Sequence, residues 1–175
     1  PMRTAVSLVV VFLLPVTVTA CSEADSAEPS LETIRAMNER FADVDAALAA
    51  GYVPDTRCVD ATMLGLPAEE GAMGVHYMRI DLLNIEAQEP RLSGYSRNTD
   101  FLQPSILLYE PQADGSMVLV GVENVVFESA WNLAAYREPP SFRGVPYTYM
   151  ADDTTTEMDE AHGWDPHYEL HVWLF

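Results

Sequence analysis

Near the end of the chain, several side chains have the types and the spacing for metal binding or acid–base chemistry. His167, Glu169 and His171 alternate along the apolar run 167–175. Alternate residues of a β-strand share a face, so these three side chains and Trp173 would point the same way. Imidazole and carboxylate groups are ligands of zinc and of non-haem iron. This face is therefore the first candidate site.

Glu123 is the second feature, because it is a carboxylate inside the apolar run 117–127. Burying a carboxylate without a partner costs several kcal/mol, so Glu123 requires either a partner or a proton. His76 and Arg79 lie together on another strand-like run, 73–80, and are the natural partners.

These two features predict one polar cluster, in which His76, Glu123 and His171 converge and His167 is an alternative ligand. The cluster could hold a divalent transition metal ion. It could equally be a hydrogen-bonded group that faces a small ligand or only holds the sheet together. No HExxH motif supports a metal, and His167 and His171 would lie about 13 Å apart on a strand. The residues expected to support the cluster are Tyr77, Arg79 and Trp173.

The segment 151–165 is rich in carboxylates and raises the question of calcium. It lacks the D-x-[DN]-x-[DN]-G order that places oxygens around one ion, so we expect a solvated, charged loop with His162 exposed. Serine-hydrolase, Walker A and dinucleotide-binding motifs are absent from the sequence. The catalytic residues are therefore unknown, and whether the protein is an enzyme stays open.

One helix followed by strands must position these side chains. Apolar residues recur at spacings of three and four over residues 30–50, with Ser30 as the N-cap and Gly51 as the stop, which predicts an amphipathic helix. Its apolar stripe comprises Leu31, Ile34, Met37, Phe41, Val44 and Leu48. Strands are predicted at 73–80, 105–110, 117–127 and 167–175, with a hairpin loop at 111–116. The order predicts an α+β fold, with the N-terminal helix packed on a mainly antiparallel sheet.

The composition indicates one acidic domain, residues 31–175. The chain of 175 residues is 49% hydrophobic and has a net charge of −18, and its nine basic residues are all arginine. This charge repels nucleic acid and anionic headgroups, so nucleic acid is not expected as a partner.

The first 20 residues resemble a bacterial lipoprotein signal peptide. Arg3 precedes an uncharged apolar run that is too short to span a bilayer, and small residues follow it up to Cys21. Residues 21–30 are polar and acidic, which predicts a flexible tether. We therefore expect an extracytoplasmic protein, periplasmic or on the cell surface, anchored to a bacterial membrane by lipid on Cys21.

Lipidation of Cys21 would leave Cys58 alone in an oxidising compartment. Either the Cys58 thiol is buried and inert, or its disulfide partner is missing from this sequence. The sequence stops inside the predicted strand 167–175, without a turn or a polar tail. This favours a C-terminal truncation that removes the partner.

The segments MGVHY (73–77), LVGVE (119–123) and YELHVW (168–173) form a pattern, of which the first and the last are the most specific. Together they resemble a family of uncharacterised secreted proteins and lipoproteins of bacteria and fungi. The resemblance implies that members continue past this tryptophan to a further cysteine, so that Cys58 would pair with a residue absent here. It implies no activity, but it supports the cluster predicted above.

Three classes of function remain. The preferred one is a protein that binds a small ligand or a metal ion at the His/Glu cluster. The alternatives are a metal-dependent enzyme on the same residues, and an interaction or assembly module without a small-molecule site. The aromatic residues that could form a ligand wall are Tyr77, Tyr109, Trp131, Tyr147, Tyr149, Trp164 and Trp173.

Overall fold

A six-stranded antiparallel sheet forms the centre of the fold, in a computed structural model that describes residues 28–64, 67, 69 and 71–175. The side chains of residues 56–60, 63, 64 and 133 are not described. The strands of this sheet, in spatial order, are β1 (Tyr52–Asp60), β2 (Ala72–Arg79), β5 (Ile106–Pro111), β6 (Met117–Phe127), β10 (His167–Trp173) and β9 (Thr148–Met150).

Two short strand pairs lie outside this sheet, namely β3 (Ile85–Ala87) with β4 (Ser93–Gly94), and β7 (Ser141–Phe142) with β8 (Val145–Pro146). The helical elements of the described residues include α1 (Leu31–Asn38), α2 (Val44–Ala49), α3 (Ile80–Leu83), α4 (Glu128–Leu133) and the 3-10 turns Glu39–Ala42 and Ala61–Leu64. The predicted mixed α+β class and its antiparallel sheet are confirmed.

The four predicted strands are present as β2, β5, β6 and β10, with ends that differ by at most two residues. The predicted hairpin loop is also present, because Gln112 N donates to Ser116 O at 2.8 Å and Asp114 accepts from Ser116 N at 3.0 Å. Strand β1 was not predicted. It contains Pro54, and its register against β2 shifts between Pro54 and Cys58, so its residues do not alternate regularly.

The single helix predicted over residues 30–50 is wrong, because the chain is divided into α1, a 3-10 turn and α2. Asp43 causes the break: its backbone is extended (ψ 112°), and its side chain accepts from Asp45 N to cap a new helix. The two predicted ends are confirmed. Ser30 caps α1 through Thr33 N at 3.1 Å, and Gly51 follows α2 with φ +91°.

The break also changes which apolar residues of this region are buried. Ile34 and Phe41 are buried, whereas Leu31, Met37 and Leu48 are about half exposed. The continuous apolar stripe predicted for this helix is therefore wrong, since a stripe requires an unbroken helical period.

Alternate residues of the central strands divide the sheet into two faces. One face, which we call the site face, carries Met78, Ile106, Leu108, Glu123, Val125, Phe127, His167, Glu169 and His171. The other face carries Val75, Tyr77, Leu107, Tyr109, Val122, Val126 and Val172 in the larger apolar cluster, which also includes Ile34 and Phe41.

Three residues of the predicted tether are part of the folded structure, since Glu28 and Pro29 contact Arg143 and Ser30 caps α1. Glu28 Oε2 accepts from Arg143 N at 2.6 Å, and Pro29 O accepts from the Arg143 guanidinium at 3.3 Å. Cys21 lies outside the described residues. Cys58 is described only in its backbone, which lies opposite Val75. Within the described part of the chain, no helix has the length and apolar character needed to cross a membrane.

Candidate metal centre

Four neighbouring strands bring two histidines and a glutamate together on the site face. The register places His171 opposite Glu123, Glu123 opposite Ile106, and Ile106 opposite Met78. His76 precedes Met78 by two residues on the same face, so it approaches Glu123 diagonally. The cluster therefore depends on β2 and β10, which are separated in the sheet by β5 and β6.

Both imidazoles are directed at one carboxylate oxygen. Glu123 Oε2 lies 3.3 Å from His76 Nε2 and 3.5 Å from His171 Nε2. The planes of the two rings are inclined at 78°, with centroids 6.3 Å apart. One ligand atom from each of the three residues lies within 4.8 Å of the others.

The cluster contains polar atoms that the surrounding protein leaves unsatisfied. Glu123 is 2% exposed. Although both imidazoles are close, Glu123 Oε2 and His171 Nε2 have no hydrogen-bond partner among the described residues. Leaving such buried atoms unpaired costs about 1–3 kcal/mol each.

The donor set fits a transition metal ion. Zinc binds histidine nitrogen and carboxylate oxygen at about 2.0–2.2 Å, so three ligand atoms around one ion lie at most about 4 Å apart. The separations of 3.3 and 3.5 Å are within this limit. All three ligand atoms lie within 4.8 Å of one another, close to the spacing that one ion requires.

Electrostatics in the cluster favour an ion pair. Burial opposes the charge on Glu123, but the imidazoles of His171 and His76 outweigh it and hold the pKa of Glu123 below its usual value. Burial likewise disfavours a charged His76, but the adjacent Glu123 carboxylate outweighs it and raises the pKa of His76. The two pKa shifts therefore have opposite directions, and both favour the charged forms of His76 and Glu123 over the neutral ones.

Two residues predicted to join the cluster, His167 and Arg79, contact other groups instead. His167 is buried on the site face, but its Nδ1 lies 2.8 Å from Asp165 O and its Nε2 lies 3.4 Å from Glu169 Oε2, so the alternative ligand is already engaged. Arg79, expected as a partner of Glu123, pairs with Asp81 at 2.6 Å instead. Arg79 is the last residue of β2, next to the helix that contains Asp81.

Of the two aromatic residues predicted to support the cluster, Trp173 contacts it and Tyr77 does not. Tyr77 lies on the opposite face, where its ring centroid is 4.6 Å from that of Tyr109, so it does not support the cluster. Trp173 stacks on His171, with centroids 5.8 Å apart and planes 11° from parallel. Gly121 makes room for this indole, because a Cβ there would lie 3.0 Å from Trp173 Cε3.

A cavity of about 440 Å³ opens beside the cluster. Its wall includes His76 and Glu123 from the sheet and residues from the segment 151–165, which folds over the site face. The lining residues that are apolar are Met73, Met78, Ile106, Val125, Met158, Ala161 and Trp164. The expectation of an exposed His162 is wrong, since this residue is half-buried and lines the cavity.

Arg91 attaches this segment to the rest of the fold, a role that sequence reasoning missed. Its guanidinium donates to Trp164 O and to Asp159 Oδ1, both at 2.7 Å, and lies 3.5 Å from Asp152. An arginine outside any motif gives no signal of such a distant contact. The acidic segment is thus a wall of the cavity.

Calcium binding by this segment is not supported. Asp153 accepts from Thr155 N at 2.9 Å, and Glu160 accepts from Asp153 N at 3.0 Å, so these carboxylates stabilise local turns. Within the part of the chain that the structure describes, the cluster of His76, Glu123 and His171 is the group with metal-ligand geometry.

The site therefore combines three convergent ligand side chains with an adjacent, mostly apolar cavity. Of the aromatic residues considered for a ligand wall, Trp164 lines this cavity. Comparison of the chain with protein-family models, curated protein sequences and solved structures finds no match.

Proposed function

We propose that this protein binds a divalent transition metal ion through His76, Glu123 and His171, next to a cavity that takes a small ligand. One observation carries the proposal: one ligand atom from each of the three residues lies within 4.8 Å of the others, and the buried Glu123 Oε2 has no hydrogen bond in the described structure. A metal ion would satisfy Glu123 Oε2 and His171 Nε2 at the same time. Two histidines and one carboxylate are a ligand set of zinc and of non-haem iron.

The proposed site requires strands held in a fixed register, and contacts on the opposite face of the sheet can supply this. We infer that the helical segments from α1 to α2 pack against the face opposite the site and hold the strands in register. Asn38 Nδ2 donates to Phe101 O at 3.0 Å, and Tyr109, on β5, donates its hydroxyl to Phe41 O at 2.6 Å. Ile34 is fully buried in the same apolar cluster.

We further propose that the protein acts outside the cytoplasm, held to a membrane by lipid on Cys21 as a member of the secreted family it resembles. The apolar run before Cys21 and the small residues next to it support this proposal. Metabolic labelling with a radioactive fatty acid tests it. We expect label on the wild-type chain and none on Cys21→Ser, and label on both would contradict the assignment.

Titration of Zn²⁺ into the metal-free full chain tests the metal site. We expect one ion per chain, and cobalt in its place should give the visible absorption of a low-symmetry site. His76→Ala, His171→Ala and Glu123→Gln should each weaken binding by roughly 100-fold or more, because each removes a ligand.

His162→Asn is the matched control, because it removes an imidazole that lines the same cavity but lies outside the three. Asparagine tolerates the left-handed backbone of this residue, whose φ is +54°. The control should bind zinc like the wild type. Absence of stoichiometric zinc, or binding that survives all three ligand variants, would leave only a buried polar cluster.

A metal-dependent enzyme on the same residues is the second candidate. It is favoured by Glu169, a carboxylate that lines the same cavity and is near enough for its charge to act on His76. Three protein ligands leave a coordination position for water, and a carboxylate nearby can accept its proton. Hydrolysis of activated esters by the zinc-loaded chain, lost in Glu169→Gln while zinc stays bound, would establish this alternative.

A further inference from the structure

The wall of the cavity has an unusual charge balance. Its carboxylates are Asp55, Glu123, Asp159 and Glu169, and no arginine lines it among the residues whose side chains the structure describes. The chain contains no lysine. The remaining lining residues are mostly apolar, together with the imidazoles of His76, His162 and His167.

These carboxylates differ in their partners. Asp159 is paired with Arg91 at 2.7 Å, outside the cavity wall. Glu169 has its described ion contact with His167, at 3.4 Å, and no arginine pairs with it in the described part of the chain. Glu123 is nine-tenths buried or more, lines the cavity and has an Oε2 atom without a hydrogen bond. Glu123 Oε2 is therefore an acceptor in the cavity wall that no donor of the described residues satisfies.

The aromatic side chain in the wall adds to this preference. Trp164 lines the cavity and is fixed by stacking on Phe127, with centroids 6.0 Å apart. Tryptophan is the best aromatic partner for an organic cation. The sulfur and hydrocarbon side chains of Met73, Met78 and Met158 supply an adaptable apolar surface.

We infer that the cavity accepts a small organic cation with an apolar body, an alkyl- or arylammonium, and discriminates against carboxylates and phosphates. The ammonium group lies against Glu169 and Glu123, and the apolar body lies against the methionines and Trp164. The inference does not depend on metal binding, because the wall carboxylates other than Glu123 lie outside the proposed ligand set. A bound ion reduces the negative charge of the wall, so ammonium binding is strongest in the metal-free chain.

Three probes of nearly equal shape and different charge test this inference: 3-phenylpropylammonium, 3-phenylpropan-1-ol and 3-phenylpropanoate. Each is titrated into the full chain in the presence of a chelator, with amide NMR shifts and tryptophan fluorescence as readouts. We expect the ammonium to bind roughly tenfold or more tightly than the carboxylate, with the alcohol between them. The shifts should fall on residues of the cavity wall, including Trp164.

General attraction of a cation to an acidic protein must be separated from the cavity. Glu169→Gln should reduce the preference for the ammonium, whereas Glu110→Gln, which removes an exposed carboxylate outside the wall, should leave it unchanged. A carboxylate probe that binds as tightly as the ammonium overturns the inference, as do shifts spread over the surface or equal effects of the two variants. Since chelator is present throughout, these outcomes are independent of whether zinc binds.

Discussion

Glu123 and His171 lie directly opposite each other on adjacent antiparallel strands, with Oε2 3.5 Å from Nε2. Both atoms are buried and neither has a hydrogen bond within the described structure. The pair is therefore held together by the register of β6 and β10. This makes the two side chains sensitive to any group that enters between them.

Replacing the shared carboxylate should destabilise the metal-free chain. We expect Glu123→Gln to lower the free energy of unfolding by about 1–3 kcal/mol near pH 6, because it removes the charge that stabilises protonated His76. The raised pKa of His76 stabilises the fold below pH 6.5 and this contribution is lost as the pH rises through the folded-state value. The lowered pKa of Glu123 stabilises the fold above pH 4.5, and this contribution is lost as the pH falls through the folded-state value.

The difference between the wild type and Glu123→Gln should therefore be largest between pH 4.5 and 6.5. Urea unfolding in chelator at several pH values measures it. If the two proteins differ in free energy of unfolding by the same amount at about pH 6 and about pH 9, the ion pair is not the source of the difference.

Zinc affinity should rise with pH. An imidazole binds a metal only after losing its proton, and the raised pKa of His76 means that this proton is held to a higher pH than in an ordinary histidine. Calorimetric titration between about pH 6 and about pH 8, in buffers of different ionisation enthalpy, should show proton release at the lower end. Affinity that does not change across this range would contradict binding through His76.

Arg91 should control the wall of the cavity. Arg91→Ala removes its hydrogen bonds to Trp164 O and Asp159 Oδ1, so we expect a loss of about 1–3 kcal/mol in the free energy of unfolding and faster proteolysis within 151–165. The backbone bond from Leu92 N to Gly163 O, at 2.7 Å, still attaches the segment.

Arg137→Ala, at an exposed arginine outside these contacts, is the control. Limited proteolysis with mass spectrometry, together with chemical unfolding, measures both effects. Equal cleavage of the two variants would mean that Arg91 does not hold the segment.

The convergence of His76, Glu123 and His171 was accessible from the sequence because it depends on two simple properties. Apolar runs identify the strands, and a period of two assigns each side chain to a face. The sequence analysis names both His76 and Arg79 as partners of Glu123, although a period of two places residues three apart on opposite faces of a regular strand. The contact that Arg79 makes instead was not predicted. It depends on where β2 ends, since Arg79 there pairs with Asp81 at the start of the next helix.

The features that could not be predicted depend on long-range contacts or on local competition. Asp43 is compatible with a helix, and only its capping of α2 reveals the break. Strand β1 carries a proline and a register shift, which hide its period. The folding of the acidic segment over the site face requires Arg91, which lies 68 residues before Asp159 in the chain.

Gly74 should be intolerant of any side chain. Its φ is +89°, and a Cβ there would lie 2.3 Å from Tyr109 O on the neighbouring strand. We expect Gly74→Ala to lower the free energy of unfolding by roughly 2–4 kcal/mol, since it adds a clash with backbone to an unfavourable φ. Gly115→Ala is the matched control, because its φ is +85° but nothing lies within 4 Å of the added atom.

Gly115→Ala should lower the free energy of unfolding only by the cost of the left-handed backbone, about 1–2 kcal/mol. Thermal and urea unfolding of the two variants separates the cost of the clash from the cost of the backbone conformation. Equal losses would show that the contact with Tyr109 is relieved by movement of the strands.

Alkaline pH should unfold the protein through its buried tyrosines. Burial raises the pKa of Tyr52 to about 12, and its hydroxyl donates to Pro104 O at 2.8 Å. The stability contributed by this group is fully present below pH 10 and is lost as the pH rises through about 12. Tyr52→Phe should cost about 1 kcal/mol at neutral pH and reduce the loss of stability above pH 10.

Thermal unfolding as a function of pH measures this change. Tyr95→Phe, at an exposed tyrosine, should follow the wild-type curve. A Tyr52→Phe curve that runs parallel to the wild type up to pH 12 would contradict the assignment.

The two imidazoles come from strands that are separated in the sheet by two others. No peptide fragment or half-folded chain that lacks either β2 or β10 possesses the cluster. A polypeptide that crosses a membrane unfolded therefore carries no preformed site and brings no ion from the compartment of its synthesis. If the chain is exported as we propose, its metal content reports the supply of ions in the place where folding is completed.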